Sequence, residues 1–277
     1  ASLAPSEMCI RDSFDTIPHD KLLLLVKERV TDKSIIKLLS LWLEAGIMED
    51  NQVRSNILGT PQGGVISPLL ANIYLNALDR YWKNNRLEGR GHDAHLIRYA
   101  DDFVILCSNN PKKYYQYAKQ RIDKLGLTLN EEKTRIVHAT EGFDFLGYTL
   151  RKSKSHKSGK YKTYYYPSRK SMKSIKGKVK DVIQTGQHLN LPDVMERLNP
   201  MLRGWANYFK AGNSKQHFKS IDNYVIYNLT IMLRKKHKKS GKGWREHPPS
   251  WYYNYFGLVC LRKLSTNIND DSQRYGR

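Results

Sequence analysis

Cysteine is scarce in this chain. Its 277 residues hold three cysteines, Cys9, Cys107 and Cys260, and no two of them form a CxxC pair. That spacing argues against a disulfide framework or a cysteine zinc site, and it points to a reducing interior, a bacterial cytoplasm or the inside of an organelle. Long apolar runs are also missing. Nothing approaches the roughly 20 residues that span a bilayer, and Leu22–Val26 reads as part of a core helix, so no membrane partner is expected. The N-terminus has no basic stretch followed by an apolar one, so no secretory signal is expected either. No internal repeat is present. Acidic residues are the scarcest class in the second half: residues 151–277 hold 28 Lys and Arg against 7 Asp and Glu. Residues 1–150 hold 19 of each, so the whole net charge of +21 lies in the second half.

Hydrophobic residues make up 40% of the chain, which predicts a globular protein with its own core. A neutral half joined to a strongly basic half predicts a reaction centre beside a polyanion-binding surface. The basic half also holds three of the five tryptophans and eleven of the 18 tyrosines. Aromatics interleaved with Lys and Arg suit base stacking and backbone contact. That interleaving speaks against a plain basic tail, and the lack of a clear amphipathic stripe in the basic segments speaks against an anionic membrane surface.

Periodicity then sets a coarse plan. Ala1–Glu7 reads as loop and Ile10–Ile17 as a short strand ending at Pro18. Helices are expected over His19–Val30, Asp32–Leu43, from Ser67-Pro68 to about Trp82, and over Pro111–Leu125 before Gly126. Asn51–Pro61 is irregular, with room for a hairpin. Leu96–Ala100 and Phe103–Cys107 are β-rich runs about a two-residue turn, Asp101-Asp102. Leu127–Leu129, Thr134–Ala139 and Phe143–Leu150 read as strands. The order strand, helix, hairpin, helix, strand predicts an α+β fold, with an antiparallel sheet and helices on one face, the split βαβ plan. Arg151–Lys162 reads as a basic linker or mobile hairpin. Ser168 to about Lys239 reads as a helical bundle broken near Gly186, Pro192 and Gly212, and Trp244–Arg277 as aromatic and irregular.

The Asp101-Asp102 pair carries the chemistry. Adjacent carboxylates at a hairpin tip repel, and a divalent cation such as Mg²⁺ relieves that repulsion with hard oxygen ligands. Two such ions can activate a 3′-hydroxyl and stabilise a pyrophosphate leaving group. Taken alone, the pair is better explained as turn chemistry, since Asp side chains bond local backbone groups.

The surrounding residues change that weighting. Tyr99-Ala100-Asp101-Asp102 resembles the YxDD motif of reverse transcriptases. The stretch from Thr60-Pro61-Gln62-Gly63-Gly64 to Leu75 precedes it in the order that family shows. Leu125–Thr134 and Phe143-Asp144-Phe145-Leu146-Gly147-Tyr148 follow it. Arg203-Gly204-Trp205-Ala206-Asn207-Tyr208-Phe209 resembles the thumb, or maturase domain, of group II intron proteins. The resemblance runs from residue 14 to about residue 210. It implies a reverse-transcriptase palm over 12–150, a linker or hairpin over 151–167, a helical thumb/maturase domain over 168–239 and a basic aromatic tail over 240–277. Residues 1–11 match nothing in the family.

The roles that the resemblance implies are specific. Asp101 and Asp102 would hold Mg²⁺. Gln62 and the flexible Gly63 would line the pocket for the deoxynucleoside triphosphate, Lys133 would sit near its phosphates, and Phe14 would exclude a 2′-hydroxyl. Ordinary surface-lysine and core-aromatic roles remain open for Lys133 and Phe14. Leu146-Gly147-Tyr148 would form a primer-facing hairpin or a simple strand. Trp205, Tyr208 and Phe209 share a helix face and read better as bundle core. Arg203, Lys210, Lys235, Lys236, Lys238 and Lys239 are the candidates for RNA-backbone contact. The implied partners are intron RNA, and template RNA with a DNA primer.

One departure matters. The family carries an aspartate five residues before the bulky gate residue, and counting back from Phe14 reaches Cys9. A thiol is a poor substitute for a hard oxygen ligand of Mg²⁺. The fingers region that precedes this strand in the family has no counterpart here. Both points predict an inactive or severely impaired polymerase. An RNA-binding maturase without polymerase activity is the alternative. A palm-type nucleotidyl cyclase shares the sheet plan, but residues 60–75 and the basic helical extension argue against it. The C-terminal region lacks the His, Asn and Cys constellation of a metal-dependent nuclease, so no endonuclease domain is expected.

Overall fold

In the computed structural model, the described residues are 4–9, 17–44, 47–49, 52–54, 66–89, 92–155, 158–237 and 247–265, with backbone alone for 4–9, 47–49, 52–54, 88–89 and 92–93. The chain divides into two compact units, Ala1–Phe143 and Asp144–Arg277.

In the first unit, β1 (Ala4–Cys9) precedes α1 (His19–Lys27) and α2 (Lys33–Glu44). The pair β2 (Ile47–Glu49) and β3 (Gln52–Arg54) comes next, then α3 (Ser67–Asn84). After it come β4 (Glu88–Gly89), β5 (His92–Tyr99), β6 (Asp102–Cys107), α4 (Pro111–Lys124) and β7 (Arg135–Ile136). The sheet order is β4-β5-β6-β1-β7, and these described strands pair antiparallel throughout. With β1 between β6 and β7, this is the split βαβ plan that the element order predicted, so the α+β expectation holds.

Local chemistry explains the helix ends. The Asp32 carboxylate accepts from the backbone N–H of Ser34 (2.7 Å) and Ile35 (3.3 Å), capping α2. Helix α4 ends in a Schellman arrangement: Gly126, at φ 76°, donates to the Asp123 carbonyl and Leu127 to that of Ile122. The cap of α3 is Ile66 rather than Ser67, which is already helical.

Several strand expectations are corrected. Ala4–Cys9 is strand, where loop was read through Glu7, and 10–16 lie outside the described residues. Leu127–Leu129 holds only an isolated bridge, and Thr134–Ala139 shrinks to Arg135–Ile136. Schellman and Asn130 turns take up the backbone groups that longer strands would have paired.

The core of this unit is one cluster. Phe103, Ile105 and Cys107 alternate along β6 and meet Leu70, Tyr74, Leu78 and Trp82 of α3 and Tyr114, Ala118 and Ile122 of α4. Each fully buried Leu, Ile or Phe contributes about 1.5–3 kcal/mol. Two of the polar tips inside are satisfied, the Trp82 indole donating to the Ala94 carbonyl (2.9 Å) and the Tyr74 hydroxyl to that of Leu125.

β8 (Phe143–Phe145) spans the boundary between the units. β9 (Tyr148–Lys154) and β10 (Tyr161–Pro167) follow, so the segment read as a linker or mobile hairpin is a paired hairpin. Helices α5 (Arg169–Thr185), α6 (Leu191–Phe209) and α7 (Lys215–Lys236) form the expected bundle. The short α8 (Pro249–Asn254) and α9 (Leu261–Leu264) pack on it through Tyr252 and Leu261, with Leu258 of the segment between them. Ser168 caps α5 by accepting from the Ser171 N–H. The buried Asp222 carboxylate of α7 caps α9, accepting from the N–H of Leu261 (2.9 Å) and Arg262 (3.2 Å).

Candidate active-site turn

The turn between β5 and β6 is one residue earlier than the sequence pattern placed it. Tyr99 and Asp102 are cross-strand partners, so the two-residue loop is Ala100-Asp101 and Asp102 opens β6. Ala100 sits at φ 52°, a left-handed conformation that costs a residue with a Cβ about 1–2 kcal/mol. On its other side β6 pairs with β1, and the partner of Asp102 there is Cys9. The position that the family resemblance marks for a third carboxylate therefore does lie beside the aspartate pair, and a cysteine occupies it.

Burial raises the Asp101 pKa above the usual carboxylate range, and the Asp102 charge pushes it further the same way. Its backbone hydrogen bond and Lys133 act in the opposite direction. The charge of Lys133 thus reaches Asp101. The turn Asn130–Lys133 presents that lysine, with the Lys133 N–H donating to the Asn130 side chain (3.2 Å). Lys133 precedes β7 by two residues, and Arg135 of β7 pairs with Glu7 of β1, which places it at the sheet end that carries Cys9 and Asp102.

Arg98 of β5 fastens the turn from below. Its Nε and Nη2 donate to the Asp79 carboxylate (3.1 and 2.6 Å), and its Nη1 donates to the Asn72 side chain (2.9 Å) and the Ala100 carbonyl (2.8 Å). Sequence pattern gave no sign of this cluster, because its members come from a strand and from two turns of α3.

Among the described residues no group of three or more His, Cys, Asp or Glu could hold a metal ion. Asp101 and Asp102 are hard oxygen donors suited to a divalent cation, and a thiol at position 9 does not complete a two-ion set. Phe14, Gln62 and Gly63 lie outside the described residues, as do Lys238 and Lys239.

In the second unit, Leu146 (φ 49°) and Gly147 (φ 79°) make a two-residue turn of the type I′ kind between β8 and β9. The Gly147 carbonyl accepts from the Ser168 N–H (2.9 Å) and the Ser171 hydroxyl (2.8 Å) at the start of α5. The Leu146 carbonyl accepts from the Tyr208 hydroxyl (2.8 Å). The Tyr148 hydroxyl in turn donates to the Tyr208 carbonyl. Tyr208 is therefore an exposed tie on α6 rather than bundle core, whereas Phe209 is buried and Trp205 half-buried. Arg203, Lys210, Lys235 and Lys236 are all exposed. Lys236 donates to the Leu189 carbonyl (2.9 Å) and Lys210 to the Asn207 side chain (3.3 Å).

The family model described as reverse transcriptase (RNA-dependent DNA polymerase) matches residues 6–150, taking in residues 6–11 that the sequence pattern set outside the family, and the chain belongs to that family. A second model, group II intron, maturase-specific domain, matches residues 172–248 and marks the branch as the group II intron reverse transcriptase/maturase type. The group II intron-encoded protein LtrA of Lactococcus lactis subsp. cremoris is 30% identical over 217 residues, covering 55% of this chain and 36% of that protein. An uncharacterized 91 kDa protein in the cob intron of Schizosaccharomyces pombe is 23% identical over 297 residues, covering 80% of this chain and 36% of its own. A structure of telomerase from Candida albicans in complex with a TWJ fragment of telomeric RNA aligns at a TM-score of 0.46 and 12% identity, over 99% of this chain and 49% of that one. The chain spans less than half the length of these proteins.

Proposed function

We propose that the protein is an RNA-directed DNA polymerase of the group II intron type that also binds its intron RNA and assists splicing. Asp101 and Asp102 are its cation-binding carboxylates, and Lys133 stands beside them for the phosphates of a deoxynucleoside triphosphate. Phe14, Gln62 and Gly63 are assigned to the nucleotide pocket by family resemblance alone. The basic surface of the thumb, with Arg203, Lys210 and the lysines from Lys235 to Lys239, takes the RNA backbone. The observation that carries the polymerase reading is the carboxylate pair at the tip of the central hairpin, with Lys133 in electrostatic range. A divalent cation such as Mg²⁺ would supply charge neutralisation at that tip. The domain limits that follow are a palm that starts before residue 12, since β1 lies in its sheet, and runs to 150, a thumb/maturase domain over 168–239 and a basic tail over 240–277.

The register of Cys9 against Asp102 supports a second part of the reading: the chain as it stands is a weak polymerase or none. Primer extension on an RNA template with Mg²⁺ tests both parts. Asp101→Ala with Asp102→Ala should abolish extension and spare RNA binding. Cys9→Asp should raise extension on the order of 100-fold, the size of effect that misplaced reacting groups produce. Robust extension by the unaltered chain, or no gain from Cys9→Asp, would refute the role given to position 9. Activity that survives loss of both aspartates would refute the site itself.

A further inference from the structure

The Arg98 cluster is the strongest feature that the family assignment does not use. Arg98 is nearly enclosed, with its side chain 11% exposed and that of Asp79 28%. Four donor directions of its guanidinium are taken, two by Asp79, one by Asn72 and one by the Ala100 carbonyl. Asn72 and Asp79 are seven residues apart on α3, so they lie on one face two turns apart. The fourth bond is the informative one. It holds the peptide of Ala100, a residue with a Cβ in left-handed backbone, directly before Asp101. A planar fork can bind a carboxylate and a carbonyl together, which a lysine ammonium cannot do with the same geometry.

We propose that Arg98 is a positioning residue: braced by Asp79 and Asn72, it locks the Ala100 peptide and so sets how the Asp101 and Asp102 carboxylates are presented to a divalent cation. This rests on the reading of those aspartates as cation ligands. The clamp acts on the turn before any cation arrives, so it has two consequences. The Asp102 amide should be slow to exchange with solvent in the absence of metal. Cation affinity should fall when the fork is lost, even though Arg98 touches no cation. Glycine adopts left-handed backbone freely, so Ala100→Gly should relieve the turn of its need for the clamp.

The test uses the full chain, with Mn²⁺ binding followed by electron paramagnetic resonance and amide exchange followed in metal-free buffer. Arg98→Lys should weaken Mn²⁺ binding about 10-fold or more, the usual scale for losing a residue that orients a ligand. It should also speed exchange at Asp102. Asn72→Ala, which strands no charge, should do the same to a smaller degree. Adding Ala100→Gly to Arg98→Lys should recover most of the Mn²⁺ affinity, a rescue that a purely structural ion pair would not show. Unchanged Mn²⁺ affinity in Arg98→Lys, or no recovery in the double variant, overturns the proposal. The parent site is checked separately: if Asp101→Asn with Asp102→Asn leaves Mn²⁺ binding intact, the cation reading fails, whatever amide exchange shows for the clamp.

Discussion

Single residues set the chemistry of this molecule through their neighbours. His217 is a case outside the candidate site. It is half-buried and stacked on Tyr166, with centroids 5.0 Å apart and planes at 13°. Burial lowers its pKa below the usual 6.5. The unfolded imidazole therefore takes up a proton near pH 6.5 while the folded one resists. As pH falls through that value the unfolded state binds more protons, and the fold loses stability. The contribution is intact above the unfolded pKa and disappears progressively below it. The thermal midpoint should fall between about pH 7.5 and about pH 5.5, and His217→Phe, which keeps the stack, should remove that share of the fall. The carboxylate pair shows the same dependence on neighbours from the other side. Its residues were legible in the sequence, but that Ala100 rather than Asp102 shares the loop with Asp101 was not. A two-residue turn can sit in either register until the strand partners fix it.

At the scale of elements, periodic patterns located the helices to within a few residues, because α2, α5 and α6 each carry one apolar face and start at a recognisable cap or proline. The strands were harder. The run Phe143–Leu150 reads as one strand, yet a turn at Leu146-Gly147 splits it into β8 and β9. The family resemblance implied a hairpin there, and the positive φ angles bear it out, whereas periodicity alone misses it because leucine gives no warning of a left-handed backbone. The Arg98 cluster was hidden for a related reason, since it joins residues 19 and 26 apart in sequence. Two glycines test the hairpin that results. A Cβ at Gly212 would stand 2.6 Å from the Tyr165 carbonyl oxygen, and one at Gly147 would stand 3.0 Å from the Ser171 hydroxyl on a backbone with positive φ. Gly212→Ala should destabilise the second unit by about 1–3 kcal/mol through overpacking. Gly147→Ala should cost about 1–2 kcal/mol from conformation before the Ser171 contact is counted. Urea midpoints of the two variants against the parent chain check both.

At the scale of the whole molecule, charge follows the division into units. The excess of +21 falls in residues 151–277, and the described part of that surface is a helical bundle with exposed lysines and arginines. Polyanion binding by such a surface releases counterions, so its affinity should fall steeply with salt. Replacing Lys235, Lys236, Lys238 and Lys239 by Gln should weaken RNA binding and flatten the log–log salt slope. Each lost phosphate contact should reduce that slope by about 0.7–0.9. Lys236 already donates to Leu189 and should count for less than its neighbours. A slope that does not change on neutralising all four would place the RNA elsewhere on the basic unit.

The Leu146-Gly147 turn carries a consequence for how the chain assembles in time. Its carbonyls are held by Ser168 and Ser171, a little over twenty residues on, and by Tyr208, 62 residues on. Helices α5 and α6 can form from local contacts, but the turn closes only when their ends have arrived. Distant closures of this kind come late in folding. An emerging chain would therefore carry β8 and β9 unfastened until α6 is complete, and the Tyr148–Tyr208 pair would be the mark of a finished second unit.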